Sequence, residues 1–175
     1  MAQGHKRPSQ IHRQDLAGEY RWGDLGQILL LLIFLSGLVV DFFVLHYSES
    51  WQSLIAWYGR IMLFIPLFLV AIYFGQRSHT KVFGEQRKEL MVIDTDVYAS
   101  IRHPMYFGAL MAYLSVIVLS LSLVALGIFI VAVMFYYFIS RYEEKLLVDK
   151  LGSRYSDYIK RVPMLIPKLT LIKKN

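Results

Sequence analysis

"MYFGALMAYLSVIVLSLSLVALGIFIVAVMFYYFIS", residues 105–140, runs for 36 positions without one Asp, Glu, Lys or Arg. As a single helix it would be about 54 Å long, against a bilayer hydrocarbon core of about 30 Å. The run must therefore fold back on itself. Ser120-Leu121-Ser122, near its middle, is the expected turn of a tight helical hairpin made of two spans. Two further apolar runs precede it, at about Leu25–Leu45 and Leu54–Phe74. The whole chain is 56% hydrophobic and 18% charged, where a soluble domain carries about 25% charged residues. The expectation is an all-α integral membrane protein with about four transmembrane helices, a C-terminal helical hairpin and an amphipathic tail. Pro66 is expected to kink the second span, and Asp41 and Arg60 to snorkel toward water.

With 175 residues the chain is expected to be one domain: a polar tail over 1–24, then a membrane domain over 25–175 whose polar chemistry lies within about 76–167. Residues 1–24 are polar and no small-x-small site follows the first apolar run, so that run reads as a retained span rather than a cleaved signal. The net charge of +6 has a local origin, since residues 141–175 hold nine Lys/Arg against four acids. Beside a bilayer such a tail suits anionic head groups, not nucleic acid. The segment before the first span carries four Lys/Arg and 76–103 carries five, whereas 46–53 and 120–122 carry none. The positive-inside rule then puts both termini and the polar chemistry on the cytoplasmic side. Cysteine is absent, which excludes disulfides, thiolate metal sites and a Cys nucleophile. His5, His12, His46 and His79 have no metal-ligand spacing, and no Gly-rich phosphate loop, GxSxG or HExxH occurs. No metal is expected.

Two polar clusters flank the hairpin: Tyr98–Tyr106 before it and Arg141-Tyr142-Glu143-Glu144 after it. A hairpin returns its ends to one side of the membrane, so Arg102 and His103 are expected near Glu143 and Glu144. Glu143, Leu147 and Leu151 recur at i, i+4 and i+8, which puts Glu143 on an inward face and Arg141, Lys145 and Asp149 on the outward one. An acid facing inward needs a partner. Plainer roles fit each residue alone. Arg102 and Arg141 suit positive-inside anchors, His103 a cap before Pro104, and Tyr98 and Tyr106 an aromatic belt.

"VYASIRHPMYFG" (97–108), a short apolar hairpin, then "EEKLLVDKLGSRYSDYIKRVPMLIP" (143–167) together resemble the membrane-embedded isoprenylcysteine carboxyl methyltransferases, which are related to phospholipid N-methyltransferases. The resemblance covers about Leu90 to Pro167. It implies S-adenosylmethionine as methyl donor, S-adenosylhomocysteine as product, and a lipophilic acceptor drawn from the bilayer. By similarity, Leu90, Met91, Val92 and Ile93 line the cofactor through backbone and apolar contacts. Tyr98, His103, Pro104, Met105, Tyr106 and Glu143 match the family's cofactor-binding positions. Arg102 suits the donor's carboxylate. Glu144 is the candidate for taking a proton from an amine acceptor, and Arg141 for meeting an acceptor carboxylate.

The chain departs from the family at two places. Asp96-Val97 stands where Gly-Pro or Gly-Val usually precedes the tyrosine. Ile139 stands where the prenylcysteine enzymes carry an arginine, and Arg141 is the nearest arginine. Other readings are phospholipid amine methylation, a nicotinamide-dependent membrane reductase of related architecture, and a noncatalytic scaffold.

Overall fold

The computed structural model describes residues 23–83 and 91–168. The tail expected over 1–24 falls, except for Gly23 and Asp24, outside the described residues. Among those described there are helices and no strands. They are α1 (Gly23–Val40, continued by a wider π turn over Asp41–Leu45), α2 (Glu49–Gln52), α3 (Trp57–Phe83), α4 (Pro104–Ser120), α5 (Leu123–Leu151) and α6 (Ser153–Arg161), with a 3-10 turn at Asp96–Ala99. Three stretches, Gly23–Leu45, Trp57–Val82 and Leu123–Leu151, are long and apolar enough to cross a membrane. Apolar α4 is the shorter fourth. Its 17 residues rise about 25 Å.

The 36-residue run folds where its two serines lie. α4 ends at Ser120, Leu121 turns in the left-handed region with φ 51°, and Ser122 caps α5 by accepting from the Ala125 N–H at 3.1 Å. A serine at this position satisfies one of the helix's orphan donors. α5 then continues past Ser140 to Leu151, so the tail helix is the extension of span four and not a separate element. α3 likewise runs through Pro66 and beyond Phe74 to Phe83. Its 27 residues span about 40 Å, so its polar final turns project beyond the hydrocarbon core.

Small residues set the helix contacts. A Cβ at Gly108 of α4 would stand 3.1 Å from both the Ala71 carbonyl oxygen and the Gly75 nitrogen of α3. Close backbone approach of this kind drives packing in lipid, where apolar burial gives little. α1 packs on α5 with Gly26 against Phe135 and Gly37 against Ile128. Phe34 meets Tyr113 of α4 edge to face, at 4.6 Å between centroids. These pairings put the start of α1, the end of α3, the start of α4 and the end of the α5 membrane segment at one end of the bundle.

The opposite end is tied by a buried acid. Asp41, expected to reach water, is instead 2% exposed. Its Oδ2 accepts from the hydroxyls of Ser48 and Ser122. Ser48 Oγ in turn accepts from the Leu123 N–H at 2.9 Å. A carboxylate this deep is held by hydrogen bonds rather than by solvent, and it fastens α1 and the 46–53 loop to the hairpin turn. Arg60 does reach the polar edge, where it donates to the carbonyls of Gln52 and Ile55.

Beyond α5 the chain returns to the site end. Tyr155, Tyr158 and Val162 form a small second core with Val92 and Leu147. Residues 163–168 then lie along the loop before α4, with Arg102 N–H donating to Pro163, His103 N–H to Met164 and Lys168 N–H to Ser100.

Candidate functional site

Arg102 and His103 end that strapped loop, and Pro104 begins α4, where its missing N–H costs no helical hydrogen bond. The hairpin brings this corner against Glu143 and Glu144 of α5. Glu144 is 4% exposed. Its Oε1 lies 3.1 Å from His103 Nε2 and 3.1 Å from Arg102 Nη1. Glu143 Oε1 accepts from the Tyr106 hydroxyl at 2.6 Å, and Glu143 Oε2 lies 3.6 Å from His103 Nδ1. His103 and Tyr106, one helical turn apart, stack with ring planes 4° apart. Two acids, a guanidinium, an imidazole and a phenol thus share one low-dielectric corner, where each pairing is stronger than in water.

The pairing leaves donor capacity unused. Arg102 Nε and Nη1 are buried without a hydrogen-bond partner; Nη1 is close to Glu144 but not aligned for a bond. An arginine offers five N–H donors in a fork that suits a carboxylate. A buried guanidinium with unmet donors beside a half-open carboxylate (Glu143 is 14% exposed) is suited to a ligand that carries both signs.

The other candidates occupy varied positions. Tyr98 sits on the 3-10 turn, with its carbonyl oxygen accepting from Tyr158 at 2.7 Å. Val92 and Ile93 are half-buried and Met91 is exposed, all on the extended stretch before that turn. Pro104 is buried and Met105 is partly exposed at the start of α4. Leu90 lies outside the described residues. Arg141 is exposed on α5, whereas Ile139 is buried in the bundle core. Of the two acids, Glu144 is the deeper, although the i, i+4 pattern singled out Glu143.

Tyr113 and Tyr136 carry no mark in the motif reading, whereas Tyr155 and Tyr158 stand in the 143–167 motif. Tyr136 packs tilted against Tyr106, centroids 5.1 Å and ring planes 38° apart, and shares a hydrogen bond with Tyr113, which carries polar atoms from Glu143 into the bundle. Tyr106 and Tyr113 are seven apart, as are Tyr136 and Glu143; that spacing along one helix face was the available signal. On α6, burial and then the Glu144 carboxylate push the Tyr155 hydroxyl above the ordinary phenol range. Burial does the same to Tyr158. Both stay protonated, which the Tyr158 bond to Tyr98 requires. Among the described residues no group of three or more His, Asp or Glu could hold a metal.

No curated protein and no solved structure matches the chain. The model of the phospholipid methyltransferase family, itself related to the isoprenylcysteine carboxyl methyltransferases, matches residues 54–154. That stretch spans α3, the strapped loop, the hairpin and both glutamates. It exceeds half of the 175 residues, and the chain belongs to the phospholipid methyltransferase family.

Proposed function

We propose that the protein is a membrane methyltransferase that takes its methyl group from S-adenosylmethionine and gives it to the amine of a lipid. The observation that carries the reading is the buried corner in which Arg102, His103 and Tyr106 meet Glu143 and Glu144. When bound, S-adenosylmethionine supplies an electrophilic methyl on a sulfonium, so the protein's task is mainly proximity and in-line orientation.

The residues fit that donor. The unmet Arg102 N–H groups suit its carboxylate. Glu143, fixed by Tyr106, suits its ammonium or ribose hydroxyls. Tyr98, the stacked His103–Tyr106 pair and the 91–93 stretch offer aromatic and apolar walls for an adenine. Pro104 and Met105 shape the same corner from the first turn of α4. In this reading the cofactor-binding part is the segment from about 76 to 167. Its placement at the cytoplasmic face follows from the charge distribution.

The acceptor reading rests on Ile139 and Arg141. An acceptor carboxylate needs no base but wants a cation near the reacting end. Ile139 is buried in the bundle core and Arg141 is exposed, which favours an amine over the carboxylate of a prenylcysteine. An amine attacks only when neutral, and the His103–Glu144 pair is the proposed acceptor of its proton. The deciding experiment is transfer of a radiolabelled methyl into membrane extract, with lipid, protein and small-molecule products separated, beside calorimetry with S-adenosylhomocysteine and NADPH. Label in an amine phospholipid and binding of S-adenosylhomocysteine alone support the reading. NADPH binding without label would sink it.

A further inference from the structure

A second polar feature lies outside the Arg102–Glu144 corner. The last turns of α3 and the 3-10 turn enclose a cavity of about 340 Å³ lined by Tyr73, Gln76, Arg77, Thr80, Lys81 and Asp96. Five of these recur on one face of α3 at i, i+3, i+4, i+7 and i+8. The same face continues into the apolar part of the helix as exposed Met62, Ile65 and Leu69. Tyr73 stands where an interfacial aromatic belongs. Arg77 is one turn farther on, about 6 Å along the axis, at the depth of lipid head groups.

The cavity carries both signs. Arg77 and Lys81 supply two cations, and Gln76 and Thr80 add neutral donors. Asp96 faces them, 3.5 Å from Arg77 Nη1, and Arg77 also lies over the Tyr73 ring at 6.0 Å. Asp96 holds φ at 58°, a left-handed conformation that glycine adopts freely and that Asn and Asp tolerate best among residues with side chains. Glycine would keep the same backbone without the carboxylate. Aspartate accommodates this backbone and adds a carboxylate to the cavity wall.

We propose that this cavity is the head-group site for a zwitterionic phospholipid. The phosphodiester accepts from Arg77 and Lys81, the ammonium donates to Asp96, and an acyl chain follows the Met62–Leu69 stripe. A purely anionic head group would satisfy the cations but face the Asp96 carboxylate. Asp96 and Tyr98 share one 3-10 turn, so the head-group site and the methyl-donor corner have a common wall. The role of this lipid as acceptor rests on the proposed function; the binding site itself does not.

The test uses the full chain in detergent, titrated with dihexanoyl phosphatidylethanolamine, dihexanoyl phosphatidylglycerol, O-phosphoethanolamine and S-adenosylhomocysteine. The ethanolamine lipid should bind about tenfold tighter than the glycerol lipid, in line with one charge-assisted contact. Arg77→Gln should weaken both lipids. Asp96→Asn, which keeps a residue tolerant of left-handed backbone, should weaken only the ethanolamine lipid and erase the preference. Neither substitution should move the affinity for S-adenosylhomocysteine. A preference that survives Asp96→Asn overturns the proposal. So does a loss of S-adenosylhomocysteine binding with lipid binding unmoved, which would make the cavity part of the donor site. Binding of O-phosphoethanolamine as tight as that of the lipid would assign the chemistry to a free solute and overturn the lipid reading. If no methyl transfer is found while Asp96-dependent discrimination persists, the function falls and the head-group site stands.

Discussion

His103 and Tyr106 lie face to face, with ring centroids 5.5 Å apart, and each gives its polar edge to a different acid: His103 to Glu144 and Tyr106 to Glu143. One turn of α4 thereby holds two neighbouring carboxylates of α5 in separate settings. Glu144 is sunk between His103 and Arg102, whereas Glu143 keeps an opening toward the loop.

The two glutamates should therefore fail differently. Glu144→Ala leaves a buried guanidinium and imidazole without their acid and should destabilise the protein by roughly 3–5 kcal/mol, read as a lower Tm in detergent. Glu143→Ala should fold nearly as well but bind S-adenosylhomocysteine about ten- to a hundredfold more weakly, the loss of one charge-assisted hydrogen bond. Equal effects of both variants on Tm and on affinity would contradict this division of labour.

The helix crossing at Gly108 gives a second expectation. Gly108→Ala pushes a methyl against the backbone of Ala71 and Gly75 and should cost about 1–3 kcal/mol. A Cβ at Gly127 meets nothing within 4 Å, so Gly127→Ala should be neutral or slightly stabilising. Thermal unfolding of the pair in one detergent checks both.

At the far end, Asp41→Ala should release the hydroxyls of Ser48 and Ser122 together. Because the three side chains form one network, Asp41→Ala and Ser122→Ala should be non-additive, with a coupling of about 0.5–3 kcal/mol. Additive losses in a double-mutant cycle would show that the acid does not act through Ser122.

The strap has a pH signature. Tyr155 and Tyr158 have folded pKa values raised above 10.0 by burial. Their contribution is complete below the unfolded pKa near 10 and is lost as pH rises above it, when unfolded tyrosine ionises and folded tyrosine does not. Hydrogen exchange at residues 98–103 should accelerate above about pH 10. Tyr158→Phe should accelerate it already at neutral pH.

The acceptor can be probed at Ile139. N-acetyl-farnesylcysteine should be methylated poorly, because position 139 offers no cation and Arg141, the nearest arginine along α5, is exposed. Ile139→Arg would place a charge in the apolar core and should lower Tm instead of creating activity. Rapid turnover of farnesylcysteine that vanishes in Arg141→Ala would refute the amine reading.

Apolar run length and charge made the spans, the hairpin turn at Ser120–Ser122 and the meeting of Arg102 and His103 with the glutamates legible in the sequence. Each depends on a local rule: helix rise, a serine cap, or the return of a hairpin. Asp41 was misread because a lone acid near a span end looks the same whether it reaches water or two hydroxyls. One of those hydroxyls, Ser122, lies 81 positions away. Position 96 was legible only as a departure from glycine. The backbone angle shows that the aspartate keeps the left-handed conformation glycine would take, a fact set by the loop's path and not by composition. The order of depth of Glu143 and Glu144 was hidden because adjacent residues on a helix are only about 100° apart, and partners on other elements decide which is sealed.

The backbone pairing of Arg102 and His103 with Pro163 and Met164 has a consequence for biosynthesis. All four apolar helices precede the strap in the chain, so they can insert and pack while the ribosome is still adding residues. The loop that orients Arg102 and His103 gains its pairing partners only after residue 164 has left the exit tunnel. A chain cut back to residue 150 should therefore still insert its apolar helices yet leave the loop over 100–103 without its backbone partners.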